Sequence, residues 1–364
     1  MIQKVIFTLF VGLLVQLSCA QTRPQKPAIP FESIEAAHSF LKQQEAVKLF
    51  SGTVLVVHKG KELMREAYGM ANVEKSIKNN TNTKINLGSI NKAFTAVSVM
   101  QLVDAGKLKL SDKVVTYIPE LNADMADEIT IMQLLEMKSG LGSYWDSELF
   151  WAKRNELNSM EDYLPIINEY PLNSKPGTIR AYSNSGYELL GIVVQRVSGQ
   201  NYFDYVREHI YQKANMSNTD AFTKYAKVEN RAIGYSKYKN GESIGGPDSG
   251  QNKPFKFSIT DRMPLHGTAA GGGYSTLDDM RNFVESLTSN RLLSKESTAR
   301  VLNHFRDGTI RPKFYSVRGG SYGINSTVNY DMEKDLLVII MSNYDPPTAS
   351  EVMRRLRITP TAQG

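Results

Sequence analysis

Ser89 and Lys92 stand three residues apart in Ser89-Ile90-Asn91-Lys92, just after Gly88 and just before an apolar-periodic run from Ala93 to Ala105. A helix opening at Ser89 puts Lys92 one turn further along the same face. The hydroxyl then lies at the positive end of a helix, with an amine beside it to take its proton. That is the chemistry of a serine nucleophile that works without histidine. The spacing S-x-x-K alone is weak, because it recurs at Ser39–Lys42 and Ser236–Lys239. Ser39 falls inside a helical pattern, Phe31 to Phe50, and Ser236 falls in a polar stretch, Tyr235 to Ser243. Only Ser89 follows a short β-like segment, Lys84 to Leu87, and leads into Ala93, Phe94, Val97, Met100 and Val103 at helical spacing. The competing role for such a serine is an ordinary helix N-cap.

The elements that must position this pair are legible around it. Gly52 to His58 reads as a buried strand, Lys59-Gly60-Lys61 as a turn, and Leu63 to Tyr68 as the return strand. The helix from Ser89 stops at Gly106, a residue suited to a C-cap. Residues 130–197 are mostly helical or looped, with helical spacing from Tyr187 to Val197 ending at Ser198-Gly199. Gly271-Gly272-Gly273 is a loop, and Ser275 or Thr276 caps a helix with Asp278 and Asp279 in its first turn. Gly323 to Tyr330 and Leu336 to Ser342 are strands about a turn at Asp331–Asp335, and Ala349 to Leu356 is a last helix. Strands at both ends and helices between them predict an α+β fold. Its antiparallel sheet is built from both chain ends (about 31–85 and 312–358), flanked by helices, with an inserted mostly helical region (about 86–311). Residues 31–358 form one domain in this reading, and 359–364 a tail.

The 364 residues are 41% hydrophobic and 22% charged, which fits a soluble globular chain. The net charge of +6 is scattered, with no basic block interleaved with aromatics, so no nucleic-acid partner is expected. Lys4, the apolar run Val5 to Val15 and Ser18-Cys19-Ala20 read as a signal peptide, residues 1–20, followed by a Pro-rich leader, 21–30. A periplasmic or secreted protein is expected. Acylation of Cys19 ranks second, because Gln16 stands where a lipobox wants an aliphatic residue. Cys19 is the only cysteine, so the mature chain needs no disulfide.

Several stretches together resemble the serine β-lactamase and D-alanyl-D-alanine carboxypeptidase superfamily, on the class C side that also holds esterases and D-aminopeptidases. They are Leu87 to Ala96, Gln101 to Leu108, Thr130 to Leu135 with Ser139-Gly140-Leu141, Tyr182 to Gly191, Ala270 to Thr276, and Ile340 to Asn343. The resemblance runs from about Phe50 to Asn343 and implies a β-lactamase/transpeptidase-like fold. It implies that Ser89 is acylated, that Lys92 shares its proton network, and that Tyr182 helps deprotonate Ser89 and later activates water. A phenol near two ammonium groups is expected to ionise well below its usual pKa of about 10. Asn184, third in Tyr182-Ser183-Asn184, would hold the substrate's amide.

The family's third motif is Lys or His, a small residue, then Gly; here the match is Arg318-Gly319-Gly320, followed by Ser321. Small residues let the strand approach substrate. Arg318 keeps a positive charge and adds a bidentate fork for a carboxylate. The N–H groups of Ser89 and Ser321 would form the oxyanion hole. Met137-Lys138 stands where relatives show His-Thr.

Two other hydrolase chemistries fare worse. Gly319 to Gly323 matches G-x-S-x-G, but a strand follows and no histidine lies beyond His304. His38, His58, His209, His266 and His304 form no close metal-ligand pair, so no metal or cofactor is expected. His266 is placed to line the cleft, because it precedes the glycine loop. The expectation is an exported monomeric serine hydrolase with an acyl-enzyme on Ser89. It would act on amides or esters of carboxylate-bearing small molecules or peptides, such as D-Ala peptides from peptidoglycan or β-lactams. The alternatives are a short-chain esterase of the same fold and a non-catalytic peptidoglycan or penicillin-binding sensor.

Overall fold

The computed structural model describes residues 33–122, 128–239, 242–243, 257–306 and 313–356. The expected signal peptide, leader and tail lie outside them. Five long strands make one antiparallel sheet: β1 (Gly52–His58), β2 (Lys61–Tyr68), β3 (Phe314–Ser321), β4 (Ile324–Asp331) and β5 (Leu336–Ser342). Their order is β3-β4-β5-β1-β2, so the pairing of β1 with the central strand β5 joins the two ends of the chain. In that pairing Gly52 faces Ser342 and His58 faces Leu336.

The unbroken apolar runs of β1 and β5 follow from burial on both faces. Val54, Val56, Leu336, Val338 and Ile340 pack on one side with Ala37 and Leu41 of α1 (Ile34–Ala46) and Ala349, Val352 and Met353 of the C-terminal helix Thr348–Arg355. Leu55, Val57, Leu337, Ile339 and Met341 point the other way, into the helical region. The period of two along each strand thus sorts neighbours into separate cores, each removing apolar surface from water.

Two helices of that region set the site. α2 (Asn91–Asp104) is buried along most of its length, and α3 (Asn184–Ser198) packs against it. Ser183 caps α3 by accepting from Gly186 N at 2.9 Å, and Gly199, at φ 73°, closes it. The helix expected to open at Ser89 instead opens with a single 3₁₀ turn, Gly88–Ile90, that runs into α2 at Asn91. The tighter turn holds Ser89 at the mouth of the helix and leaves Lys92 in its first turn.

Candidate active site

The Gly88–Ile90 turn is fastened from two sides by backbone. Leu87 N donates to Gly273 O (2.7 Å) and Gly272 N donates to Gly88 O (3.2 Å). Asn86 bridges the same contact, accepting from Gly88 N and donating to Gly272 O. On the other side the edge strand β3 lies so close that a Cβ on Gly319 would meet Leu87 O at 1.8 Å and Ser89 N at 2.8 Å. Only glycine permits that approach. On the loop side a Cβ on Gly271 would meet Gly88 O at 3.2 Å, so Gly271 and Gly319 both let backbone pack on backbone around the serine.

Ser89 Oγ and the Tyr182 hydroxyl share a hydrogen bond of 2.5 Å. Tyr182 is carried by the segment leading into α3, and that segment is pinned by Ala181 N donating to Met137 O and Ser183 N donating to Met137 Sδ. Lys92, 6% exposed, points into the floor beneath them. Its Nζ donates to Asn184 Oδ1 at 2.7 Å and to Ala270 O at 2.5 Å, and lies 4.8 Å from the centre of the Tyr182 ring. The Asn184 amide nitrogen donates to Ser143 Oγ at 2.9 Å. Ser89, Lys92, Tyr182 and Asn184 thus meet at one place.

Burial pulls the Lys92 amine down to about 7, against the opposing charge of Glu188. The expectation of an acidified Tyr182 phenol is reversed. Desolvation raises it, and the Ser89 hydrogen bond works against that rise. The physical reason is that a single amine stands near it, over the ring face rather than at the hydroxyl, and that amine is itself inclined to be neutral. With 57% of the Tyr182 surface still open, the rise is a bias toward the neutral phenol.

The site opens into a cleft of about 500 Å³. Trp145, Phe222, Met263 and Tyr274 give it an apolar, aromatic wall, and Arg318, Gly319, Gly320 and Ser321 form its β3 side. Arg318 is exposed at the rim, with no ion-pair partner among the described residues. A smaller cavity of about 180 Å³ meets Ser89, Lys92 and Tyr182 from behind and also touches Arg180, His304 and Arg318. His266 lines the cleft as the sequence suggests. Its ring nitrogens stand 2.8 Å from Gly267 O and 3.1 Å from Asn158 O, which ties it into the wall. Ser321 ends β3, and the chain turns at Gly323 into β4, so no helix follows that serine. Among the described residues no group of three acidic, histidine or cysteine side chains is placed to hold a metal.

The family model described as Beta-lactamase matches residues 40–363. The chain belongs to the Beta-lactamase family. Among curated relatives, the putative penicillin-binding protein PbpX of Bacillus subtilis is 28% identical over 300 residues, covering 81% of this chain and 71% of that protein. Protein flp of Staphylococcus aureus is 35% identical over 186 residues, covering half of this chain and 37% of flp. Among solved structures, a penicillin-binding protein from Bacillus halodurans aligns with a TM-score of 0.73 at 25% identity, over 87% of this chain and 97% of that one. A D-stereospecific amidohydrolase from Streptomyces shares the fold, with a TM-score of 0.71 at 21% identity over 90% and 99% of the two chains.

Within this Beta-lactamase-family site, sequence reasoning missed three kinds of residue. The cleft wall comes from loops at 144–145, 222 and 263–265, which carry no local pattern. Ser143 and Ala270 are partners supplied by tertiary packing. Glu188, fully buried behind Lys92, was legible: it lies four residues after Asn184 and so on the same face of α3.

Proposed function

We propose that this protein is a serine hydrolase that forms an acyl-enzyme on Ser89, with substrates that carry a carboxylate, such as D-Ala-terminated peptides or β-lactams. The observation that carries the reading is the 2.5 Å contact between Ser89 Oγ and the Tyr182 hydroxyl, set above a buried amine held near neutrality. Ser89 Oγ attacks the carbonyl carbon and gives its proton to the Tyr182 oxygen while the neutral phenol passes its own proton on. Lys92 is the group with the capacity to take that proton up. In its neutral form both N–H bonds are used by Asn184 and Ala270, and the lone pair remains. Collapse of the tetrahedral intermediate breaks the C–N or C–O bond, and the leaving group takes the proton. Water then hydrolyses the ester, with the same groups acting in reverse.

The backbone N–H groups of Ser89 and Ser321 are the proposed oxyanion hole, supported by the approach of β3 to the Leu87–Ser89 backbone. Asn184 and Arg318 hold the substrate, Arg318 by its charge at the rim. The aromatic wall favours an apolar acyl group, which also suits short-chain esters. Nitrocefin, D-Ala-D-Ala peptides, D-amino-acid amides and p-nitrophenyl esters separate these substrate classes. The proposal includes export, resting on the pattern of residues 1–20, and a native N-terminus at Gln21 is the outcome that supports it. The decisive test is covalent labelling by a fluorescent penicillin or fluorophosphonate. Labelling is expected in the wild type and absent in Ser89→Ala, and equal labelling of both would remove Ser89 from the chemistry.

A further inference from the structure

Glu188 is 0% exposed, and among the described residues its Oε2 makes no well-formed hydrogen bond, with the Tyr144 hydroxyl and Ala270 N as the further donors near the carboxyl. A buried carboxylate with such an oxygen is costly, and a glutamine or leucine would fill the space at less expense. Its surroundings explain the choice. Glu188 Oε1 accepts from Thr268 Oγ1 at 2.5 Å. Ala270 N donates to that same hydroxyl at 3.2 Å, and Ala270 O is the acceptor for Lys92 Nζ. One short turn, Thr268–Ala270, thus touches both ionisable groups. Asn184, which bonds the amine, and Glu188, whose charge acts on it, lie one helical turn apart on α3.

We propose that Glu188 is a positioning residue that sets the charge state of Lys92, acting across the Thr268–Ala270 turn without touching substrate. Each group offsets the other's burial. Desolvation lowers the Lys92 amine, and the Glu188 charge opposes that fall. Desolvation pushes the Glu188 carboxyl up to about 7, and the Lys92 charge holds it down. Both groups are thereby placed to change charge near neutral pH, where an acid–base group works best, and they titrate as a coupled pair. The other titratable groups facing Glu188 are the phenols of Tyr144, Tyr163 and Tyr202, and those facing Lys92 are the rings of Tyr182 and Tyr187. Across the smaller cavity Lys92 also faces His304 and the fixed charges of Arg180 and Arg318. Burial keeps all five phenols protonated across the neutral range and pulls the His304 imidazole below its usual range, which leaves the pair as the groups that change charge about pH 7.

This inference rests on the serine-hydrolase reading for its kinetic test but not for its spectroscopic one. In Glu188→Gln the acid limb of the labelling rate with a fluorescent penicillin is expected to move about one unit toward lower pH, because Lys92 loses the charge that retains its proton. A merely structural glutamate would lower stability and leave that limb in place. An unmoved limb in a folded variant overturns the proposal. If Glu188→Gln does not fold, infrared spectroscopy of wild-type protein carrying [¹³C]glutamate decides. One carboxyl should titrate near pH 7, and its midpoint should rise in Lys92→Met. Absence of any such carboxyl also overturns the proposal. If Ser89→Ala still labels like wild type while this titration is seen, the proposed reaction fails and the coupled pair stands.

Discussion

The rim and the floor of this site are built by different rules. At the rim, Ser89 and Tyr182 are joined by one hydrogen bond, the Tyr182 ring is largely open, and Arg318 stands exposed. On the floor, Lys92, Asn184, Thr268 and Glu188 are locked by short bonds among side chains and backbone carbonyls. The groups that meet a substrate are held loosely enough to exchange partners. The groups that decide where a proton resides are removed from water and fixed. A rim substitution should change rates with little effect on melting, whereas a floor substitution should change pH dependence and stability together.

Ser89→Ala is the sharpest test of the rim. Turnover should fall by at least about a thousandfold, since removing the nucleophile of a cooperative set leaves only binding and oxyanion stabilisation. Its melting temperature should stay within a degree or two of wild type. Tyr182→Phe keeps the ring and removes the hydroxyl, and acylation should slow by roughly a hundredfold. A Tyr182→Phe enzyme with wild-type acylation would shift the proton route to Lys92 alone.

Gly319→Ala probes where rim and floor share backbone. The added Cβ meets Leu87 O at 1.8 Å, so β3 must draw away from the serine. A loss of about 1–3 kcal/mol of stability is expected from this overpacking, together with loss of activity. Full activity in that variant would break the link between β3 and the nucleophile.

The floor should impose a pH dependence. Lys92 has its pKa lowered from 10.5 to about 7, so the neutral amine becomes populated as pH rises through 7. Acylation should therefore climb through that range and fall about tenfold per unit below it. A flat profile between pH 5 and 8 would contradict a base of this kind. The smallest effect is expected at Arg318. Arg318→Ala should raise KM for anionic substrates by roughly tenfold, the worth of a charge-assisted bond, and leave p-nitrophenyl esters nearly unchanged. Equal losses on both would contradict carboxylate binding.

Legibility in the sequence followed the range of the forces involved. Gly52–His58 and Leu336–Ser342 were read to the residue, because strands buried on both faces demand unbroken apolar runs with turn residues at their ends. The Ser89–Lys92 spacing announced a shared helix face. It did not announce that the amine would bond to Asn184 and Ala270 while the hydroxyl bonds to Tyr182, since both choices are made by chain segments about 90 and 180 positions away. The direction of the Tyr182 shift was misjudged for the same reason: charge counts can be read from letters, but desolvation cannot. Trp145, Phe222 and Met263 have no periodic partners, and only the closed fold gathers them.

The placement of β1 between β2 and β5 carries a consequence for synthesis. Ser342 Oγ donates to Ser51 O, a contact spanning 291 positions. While the ribosome is making the intervening chain, the β1–β2 hairpin waits with one edge unpaired, the kind of surface that invites association between nascent chains. The sheet closes only once residues 336–342 are available, so its completion is a late step in folding.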